Sequence, residues 1–282
     1  MTTKTYFITG VSSGIGRALA KAVLDAGGRV AGTLRKPEQA EAFEALAPGR
    51  AIALIADVTD RAAVDTAVAK AVERFGRIDV VANNAGAGTV GAVEETSEAE
   101  ARALFELNFF GQFNVIHAVL PVLRRQQSGH ILTFSAVGGF TGFPGLGVYS
   151  AAKAATDVMS EALAQEVAGF GIKTTILTLG IFRTKFAAGS LSFTKAEMAE
   201  YAETPAGKFR SFISGLDGKQ PNDPAKAAEA ILKIVESEEP PLHLALGADA
   251  VGVIRRKLDQ VRGDVDQWEE VSTSTVYSQS AA

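Results

Sequence analysis

The sequence predicts an α/β fold in which a doubly wound, seven-stranded parallel sheet is flanked by helices, all within a single domain over residues 1–282. Three observations support this. Short β-rich runs alternate with longer amphipathic segments through about residue 180. A glycine-rich turn follows the first run directly and opens a helical pattern. No linker, composition shift or internal repeat divides the chain.

The predicted strands are Thr5–Thr9, Arg29–Leu34, Ala51–Ala56, Val80–Asn83, His130–Ser135, Thr174–Leu179 and His243–Leu246. Helix starts are marked by Ser97 with Glu100 and by Thr194 with Glu197, both at capping-box spacing. Asp223-Pro224 sets an N-cap before a proline at the first helical position. Residues 185–221 show a poorer pattern rich in Gly, Ser and Pro, and are expected to cover a site and shape substrate choice. Ala248–Val271 is helical in pattern, and the Ser/Thr-rich residues 272–282 are expected to fray.

With 47% hydrophobic residues the chain can bury a large core. It has no cysteine, which excludes disulfides, thiolate metal sites and a thiol nucleophile. Together with an N-terminus that lacks a signal-peptide apolar region, this leads us to expect a cytoplasmic protein. A net charge of -4 without blocks of like charge gives no reason to expect nucleic acid or an anionic membrane as partner. No apolar run reaches the ~18–20 residues of a membrane span. His117, His130 and His243 are far apart and lie in helix or strand patterns, so they are read as structural, and no metal is expected.

The chemistry begins at Gly10-Val11-Ser12-Ser13-Gly14-Ile15-Gly16. Backbone N–H groups at a helix start carry positive partial charge, and glycines let a pyrophosphate approach where a Cβ would collide. The second strand ends Leu34-Arg35-Lys36, without the carboxylate that would accept from a ribose 2′-hydroxyl. Arg35 can instead pair with a 2′-phosphate, so NADP(H) is preferred to NAD(H). The plain alternative is a solvated arginine at a strand end. Strand five ends at Ser135, and Tyr149 and Lys153 follow at i, i+4 on one helix face. A phenol near pKa ~10 needs a neighbouring cation to act near neutrality. At ~4 Å and an effective dielectric of ~20, Lys153 would favour the phenolate by up to ~4 kcal/mol, which is expected to bring Tyr149 toward working range. Taken singly, each of these residues reads as structural. Their joint occurrence after the glycine turn points to catalysis.

Gly10 to Gly16, Asp57-Val58, Asn83-Asn84-Ala85-Gly86, Asn108, Ser135, Tyr149 and Lys153 together resemble the short-chain dehydrogenase/reductase family over roughly residues 4–185. The resemblance implies a Rossmann-type fold and hydride exchange between a nicotinamide cofactor and a carbonyl or alcohol. It implies cofactor contacts at Gly10, Ser12, Ser13, Gly14, Ile15 and Gly16. It also places Asp57 and Val58 at the adenine, and Asn84, Ala85 and Gly86 at the ribose side. Asn108, Ser135, Tyr149 and Lys153 would form the catalytic set, with Asn108 holding a proton-relaying water and Lys153 also binding ribose hydroxyls. After strand six, Phe182 and Thr184 would meet the nicotinamide amide. Here Leu179 stands where the family usually has proline, which removes a fixed φ and suggests altered loop dynamics. Homodimers or homotetramers are implied, through helices near Glu98–Leu123 and Val148–Ala168.

Aromatic and apolar residues in Gly138–Leu146 and Phe186–Phe212 favour a lipophilic ketone, aldehyde or alcohol, although they could equally pack the cover onto the sheet. A non-catalytic NADP(H)-binding regulator would need the glycine turn and Arg35 but not the catalytic set. A nucleotide-sugar epimerase fits less well, because little chain lies beyond the core, and a related enoyl reductase would space its tyrosine and lysine more widely.

Overall fold

All seven predicted strands form, and the central ones alternate their side chains between two apolar layers. The structure, a computed structural model, describes residues 3–216 and 218–277. Its strands are β1 (Thr5–Ile8), β2 (Arg29–Leu34), β3 (Ala51–Ile55), β4 (Val80–Asn83), a short β5 (Gly88–Val90), β6 (Gly129–Ala136), β7 (Ile172–Leu179), a short β8 (Leu191–Phe193) and β9 (His243–Leu246). Seven of them build one parallel sheet in the order β3-β2-β1-β4-β6-β7-β9. The order reverses between β1 and β4, and a crevice opens there at the strands' carboxyl ends.

The helices are α1 (Gly14–Asp25), α2 (Ala40–Glu44), α3 (Arg61–Phe75), α4 (Glu98–Phe105), α5 (Gly111–Gln126), α6 (Val137–Phe140), α7 (Gly147–Val167), α8 (Phe186–Gly189), α9 (Pro205–Ser214), α10 (Pro224–Val235) and α11 (Ala248–Thr273). On β1, Tyr6 and Ile8 face one layer with Leu19 and Val23 of α1 and Ile231 of α10. Phe7 faces the other, with Val68 of α3, Val119 of α5 and Leu163 of α7. The period of two in the strands and the apolar stripes of the helices thus meet in two cores, one on each side of the sheet.

Local signals held at two of the three expected helix starts. The Ser97 hydroxyl accepts from Glu100 N–H while the Glu100 carboxylate accepts from Ser97 N–H, closing a capping box. Asp223 accepts from Ala225 N–H ahead of α10. Thr194 begins no helix. Its buried hydroxyl donates to Ala196 O and its N–H to Val90 O instead, since it directly follows β8, which pairs in parallel with β5. The tail also departs from expectation: α11 continues through Ser272 and Thr273, while residues 278–282 lie outside the described residues.

Residues 185–221, apart from position 217 outside the described set, fold into α8, β8 and α9 over the crevice. Their firmest tie is Glu95, 5% exposed, whose carboxylate accepts from Ala92 N–H at 2.7 Å and Met198 N–H at 2.9 Å. Hydrogen bonds to a buried charge stabilise more than neutral ones, and removing the acceptor strands both donors. Glu95→Ala is expected to lower unfolding stability by about 3 kcal/mol in urea titration and to speed proteolysis between residues 194 and 213. An unchanged cleavage pattern would show that this carboxylate does not hold the cover.

Candidate active site

The chain leaves β1 through Thr9, whose hydroxyl oxygen accepts from Asn84 N–H at 3.0 Å and Ala85 N–H at 2.9 Å. The Asn84 amide donates back to Thr9 O at 2.8 Å and Gly10 O at 3.1 Å, and Gly10 N–H donates to the Thr33 hydroxyl. These bonds bind the ends of β1, β2 and β4 together. Gly10 and Gly14 take φ of +74° and +62°, a region that L side chains rarely adopt. A Cβ on Gly16 would overlap the Asn84 amide and the Gly10 carbonyl, so only glycine lets α1 pack this close to the turn. Ser13 precedes α1 without a side-chain cap, leaving first-turn N–H groups for a ligand.

One cleft of about 660 Å³ runs from this turn to the cover. Gly10, Ser12, Ser13, Gly14, Ile15, Arg35, Asp57, Val58, Asn84, Ala85, Gly86, Ser135, Tyr149, Lys153, Phe182 and Thr184 all border it. Gly16 and Asn108 do not border it, and both stand just behind its wall. Arg35 is exposed at its rim, and no carboxylate lies between Leu34 and Lys36. Asp57 folds into a turn, accepting from Thr59 N–H and hydroxyl. The glycine turn and the uncapped helix start fit the pyrophosphate of a dinucleotide.

Asn108 sits in a π-helical turn, Glu106–Phe110, where Gly111 N–H reaches back to Glu106 O. Such turns widen a helix and redirect a side chain. The Asn108 amide donates to Ala87 O at 2.9 Å and Leu104 O at 3.1 Å, and its oxygen accepts from Ala87 N–H. Both polar atoms of its side chain are thus engaged with backbone, fixing Ala87 just ahead of β5. A Cβ on Gly86 would lie 2.7 Å from Asn108 Oδ1 and 3.5 Å from Lys153 Nζ, so these groups crowd one point.

Tyr149, Lys153 and Asp157 succeed one another at i, i+4, i+8 on α7 and face β6. Lys153 Nζ donates to Phe134 O at 2.8 Å. Ser135 Oγ donates to Asp157 Oδ2 at 2.8 Å, and both residues are buried. Asp157 was not foreseen, although its i+4 position after Lys153 is a legible signal. Burial pushes its carboxyl up to about 6, against the lowering effects of Ser135 and Lys153. Burial likewise lowers Lys153 to about 8, with Asp157 opposing. The Tyr149 hydroxyl is held above its ordinary value, first by burial and then by the Asp157 charge. The expected lowering by Lys153 is not seen, because a pairwise attraction estimated in isolation omits the cost of burying a phenolate and the nearby carboxylate.

Beyond β7, Asp249 Oδ2 accepts from Ile181 N–H at 2.7 Å, while Asn222 donates to Ile181 O and to Asp249 Oδ1. The loop that would follow a proline is therefore held by hydrogen bonds instead of a fixed φ, with Leu179 the last residue of β7. Phe143, Phe186, Phe209, Ile213 and Leu216 line the cover's side of the cleft. His130 is buried against the Thr175 hydroxyl, and burial lowers it to about 4. His243 lies at the surface beside Glu161. Among the described residues no group of three His, Cys, Asp or Glu is placed to hold a metal, and no helix is long and apolar enough to cross a membrane.

The sequence profile of short chain dehydrogenases matches residues 4–194. The chain is 40% identical to the oxidoreductase BOA17 of Botryotinia fuckeliana over 97% of this chain and 99% of that protein. It is 37% identical to a 3-ketodihydrosphingosine reductase of Bacteroides thetaiotaomicron, over 85% of this chain and 86% of that one. A solved short-chain dehydrogenase from Streptomyces avermitilis superposes with a TM-score of 0.91 at 44% identity, covering 98% of this chain and 100% of that chain. With more than half of its length inside the family profile and near-full-length relatives among oxidoreductases, the chain belongs to the short-chain dehydrogenase/reductase family of enzymes.

Proposed function

We propose that the protein is a cytoplasmic, NADP(H)-dependent oxidoreductase that interconverts a lipophilic ketone or aldehyde and the corresponding alcohol. The observation that carries this reading is the convergence of Ser135, Tyr149 and Lys153 on one cleft, between the glycine turn and an apolar cover. Ser12, Ser13, Gly14 and Ile15 would hold the pyrophosphate, Arg35 the 2′-phosphate, Asp57 and Val58 the adenine, and Phe182 and Thr184 the nicotinamide amide. When bound there, NADP(H) supplies or takes up the hydride. Tyr149 gives its phenol proton to the substrate oxygen during reduction and takes it back during oxidation, and Ser135 holds the same oxygen. Lys153, beside Gly86, orients ribose hydroxyls. Asn108 is a positioning residue that keeps Gly86 and Ala87 in place. Phe143, Phe186 and Phe209 favour an apolar substrate, in keeping with a relative named for reducing 3-ketodihydrosphingosine. Self-association through α5 and α7 would cover Phe110, Phe113 and Val158, which are 46%, 37% and 64% exposed.

Asp157 sets which way Ser135 points its single proton. Ionised, it accepts a hydrogen bond from Ser135 across the 2.8 Å between them; protonated, it donates, and Ser135 can then donate to a carbonyl oxygen.

NADPH oxidation with hydrophobic ketones and aldehydes is expected to exceed NADH oxidation, and Tyr149→Phe to lower turnover about 10³-fold with NADPH binding retained. Tight NADPH binding with no turnover on any substrate would instead favour a regulator. Arg35→Ala is expected to raise KM for NADPH by about 10–100-fold and leave NADH nearly unaffected, the loss of about 1.4–2.8 kcal/mol of charged pairing; equal effects on both would remove the 2′-phosphate assignment.

Asp157 retains its proton in the fold up to about 6, against an ordinary 3.8, so the unfolded chain releases a proton that the folded chain keeps across that window. Its contribution to stability therefore falls as pH rises from about 4 to 6, by up to about 3 kcal/mol. Asp157→Asn is expected to gain stability relative to wild type across that interval and to lose a pH 6 limb in the kcat/KM profile for reduction. A stability difference that does not vary with pH would show that this carboxyl is not held protonated.

A further inference from the structure

Helix α11 packs on β9 and α6 at its root and then leaves the body. Ala250 is its only buried residue, and every residue from Leu258 to Tyr277 is exposed. At 1.5 Å per residue the exposed helical part, residues 258–273, extends about 24 Å into solvent. A helix alone in water at this length is marginal, and a solvated one has no use for large apolar side chains. Yet Leu258, Val261, Val265 and Trp268 follow one another at spacings of three and four, 51%, 44%, 60% and 56% exposed. Ile254 precedes them in the same series. This is a heptad seam, the pattern by which one helix packs along another.

Charge along the same helix says which helix. Residues 255–262 carry Arg255, Arg256, Lys257 and Arg262 against a single acid, Asp259. Residues 264–270 carry Asp264, Asp266, Glu269 and Glu270 and no base. None of these charged groups takes part in the ion pairs seen among the described residues. A parallel copy would set base on base and acid on acid. An antiparallel copy, related by a two-fold axis near Gly263, sets each basic half along an acidic half while the seams meet. Leu258 then lies opposite the partner's Trp268, and Val261 opposite the partner's Val265.

We infer that α11 is a self-recognition helix that pairs antiparallel with α11 of a second copy of this chain, by an apolar seam flanked by opposed charge. This surface is distinct from the α5 and α7 faces, and the pairing joins two chains, or two α5/α7 dimers, into one assembly.

Sedimentation equilibrium and the emission of Trp268, the chain's single tryptophan, test it together. Combined Arg255→Glu, Arg256→Glu, Lys257→Glu and Arg262→Glu is expected to halve the assembly mass and shift emission to the red. The converse variant, Asp264→Lys, Asp266→Lys, Glu269→Lys and Glu270→Lys, should behave alike, and mixing the two should restore both mass and emission. Because the chain has no cysteine, a mixture of Leu258→Cys and Trp268→Cys chains should form a disulfide that neither forms alone. Unchanged mass in both charge variants, or Leu258→Cys chains cross-linking with one another, would overturn the pairing. So would a wild-type emission that stays red until phosphatidylglycerol vesicles are added, which would point to a lipid surface instead.

Discussion

The cleft is held open by the closeness of two strand ends. Where β1 and β4 finish, the main-chain ladder between them runs out, and side chains take over its work. The Thr9 hydroxyl receives two N–H groups from the Asn84-Ala85 turn, and the Asn84 amide returns two bonds to the backbone of Thr9 and Gly10. Buried polar groups paired in this way are expensive to separate, because each freed atom would lose its partner without regaining water. The arrangement leaves no volume at Gly16, which is why the start of α1 is aimed into the crevice. Both walls at this end of the cleft, the glycine turn and Asn84–Gly86, thus derive from one knot.

The opposite wall depends on α7. Its i, i+4, i+8 face carries a phenol at the edge of the cleft and, behind it, a buried ammonium and a buried carboxyl bonded to Phe134 and Ser135 of β6. Two opposite charges in such surroundings each offset part of the other's desolvation, and neither offset is complete. The result is an amine and a carboxyl whose proton affinities have been drawn toward neutrality from opposite sides, to about 8 and about 6. Groups tuned this way are suited to exchanging protons near physiological pH, while the phenol between them and the cleft keeps its own proton in this environment.

How much of this was legible follows from the range over which each signal acts. Strand positions were legible because burial on two faces leaves an uninterrupted apolar run, and the glycine turn because its backbone shape demands glycine. Tyr149 and Lys153 could be placed together because helical spacing converts sequence distance into geometry. The same conversion applied once more would have reached Asp157. The Thr9 hydroxyl, Asn222 and Asp249 were illegible, since each acts on a segment tens of residues away. The three-residue strands β5 and β8 were too short to show a period. Thr194 misled because capping-box spacing states only what a side chain can reach; in the fold, its N–H pairs with the Val90 carbonyl on a neighbouring strand and its hydroxyl with the Ala196 carbonyl.

Asp249 belongs to two structures at once. It is in the first turn of α11, and its carboxylate holds the Ile181 N–H one residue before Phe182. The helix, 26 residues and about 39 Å long, is therefore a lever arm whose short end is fastened to the loop at the cleft. A swing of several ångströms at the free end reduces to a fraction of an ångström at Asp249, the scale on which backbone placement against a ligand is decided. Whatever steadies the far end of the arm also steadies the floor on which Phe182 rests.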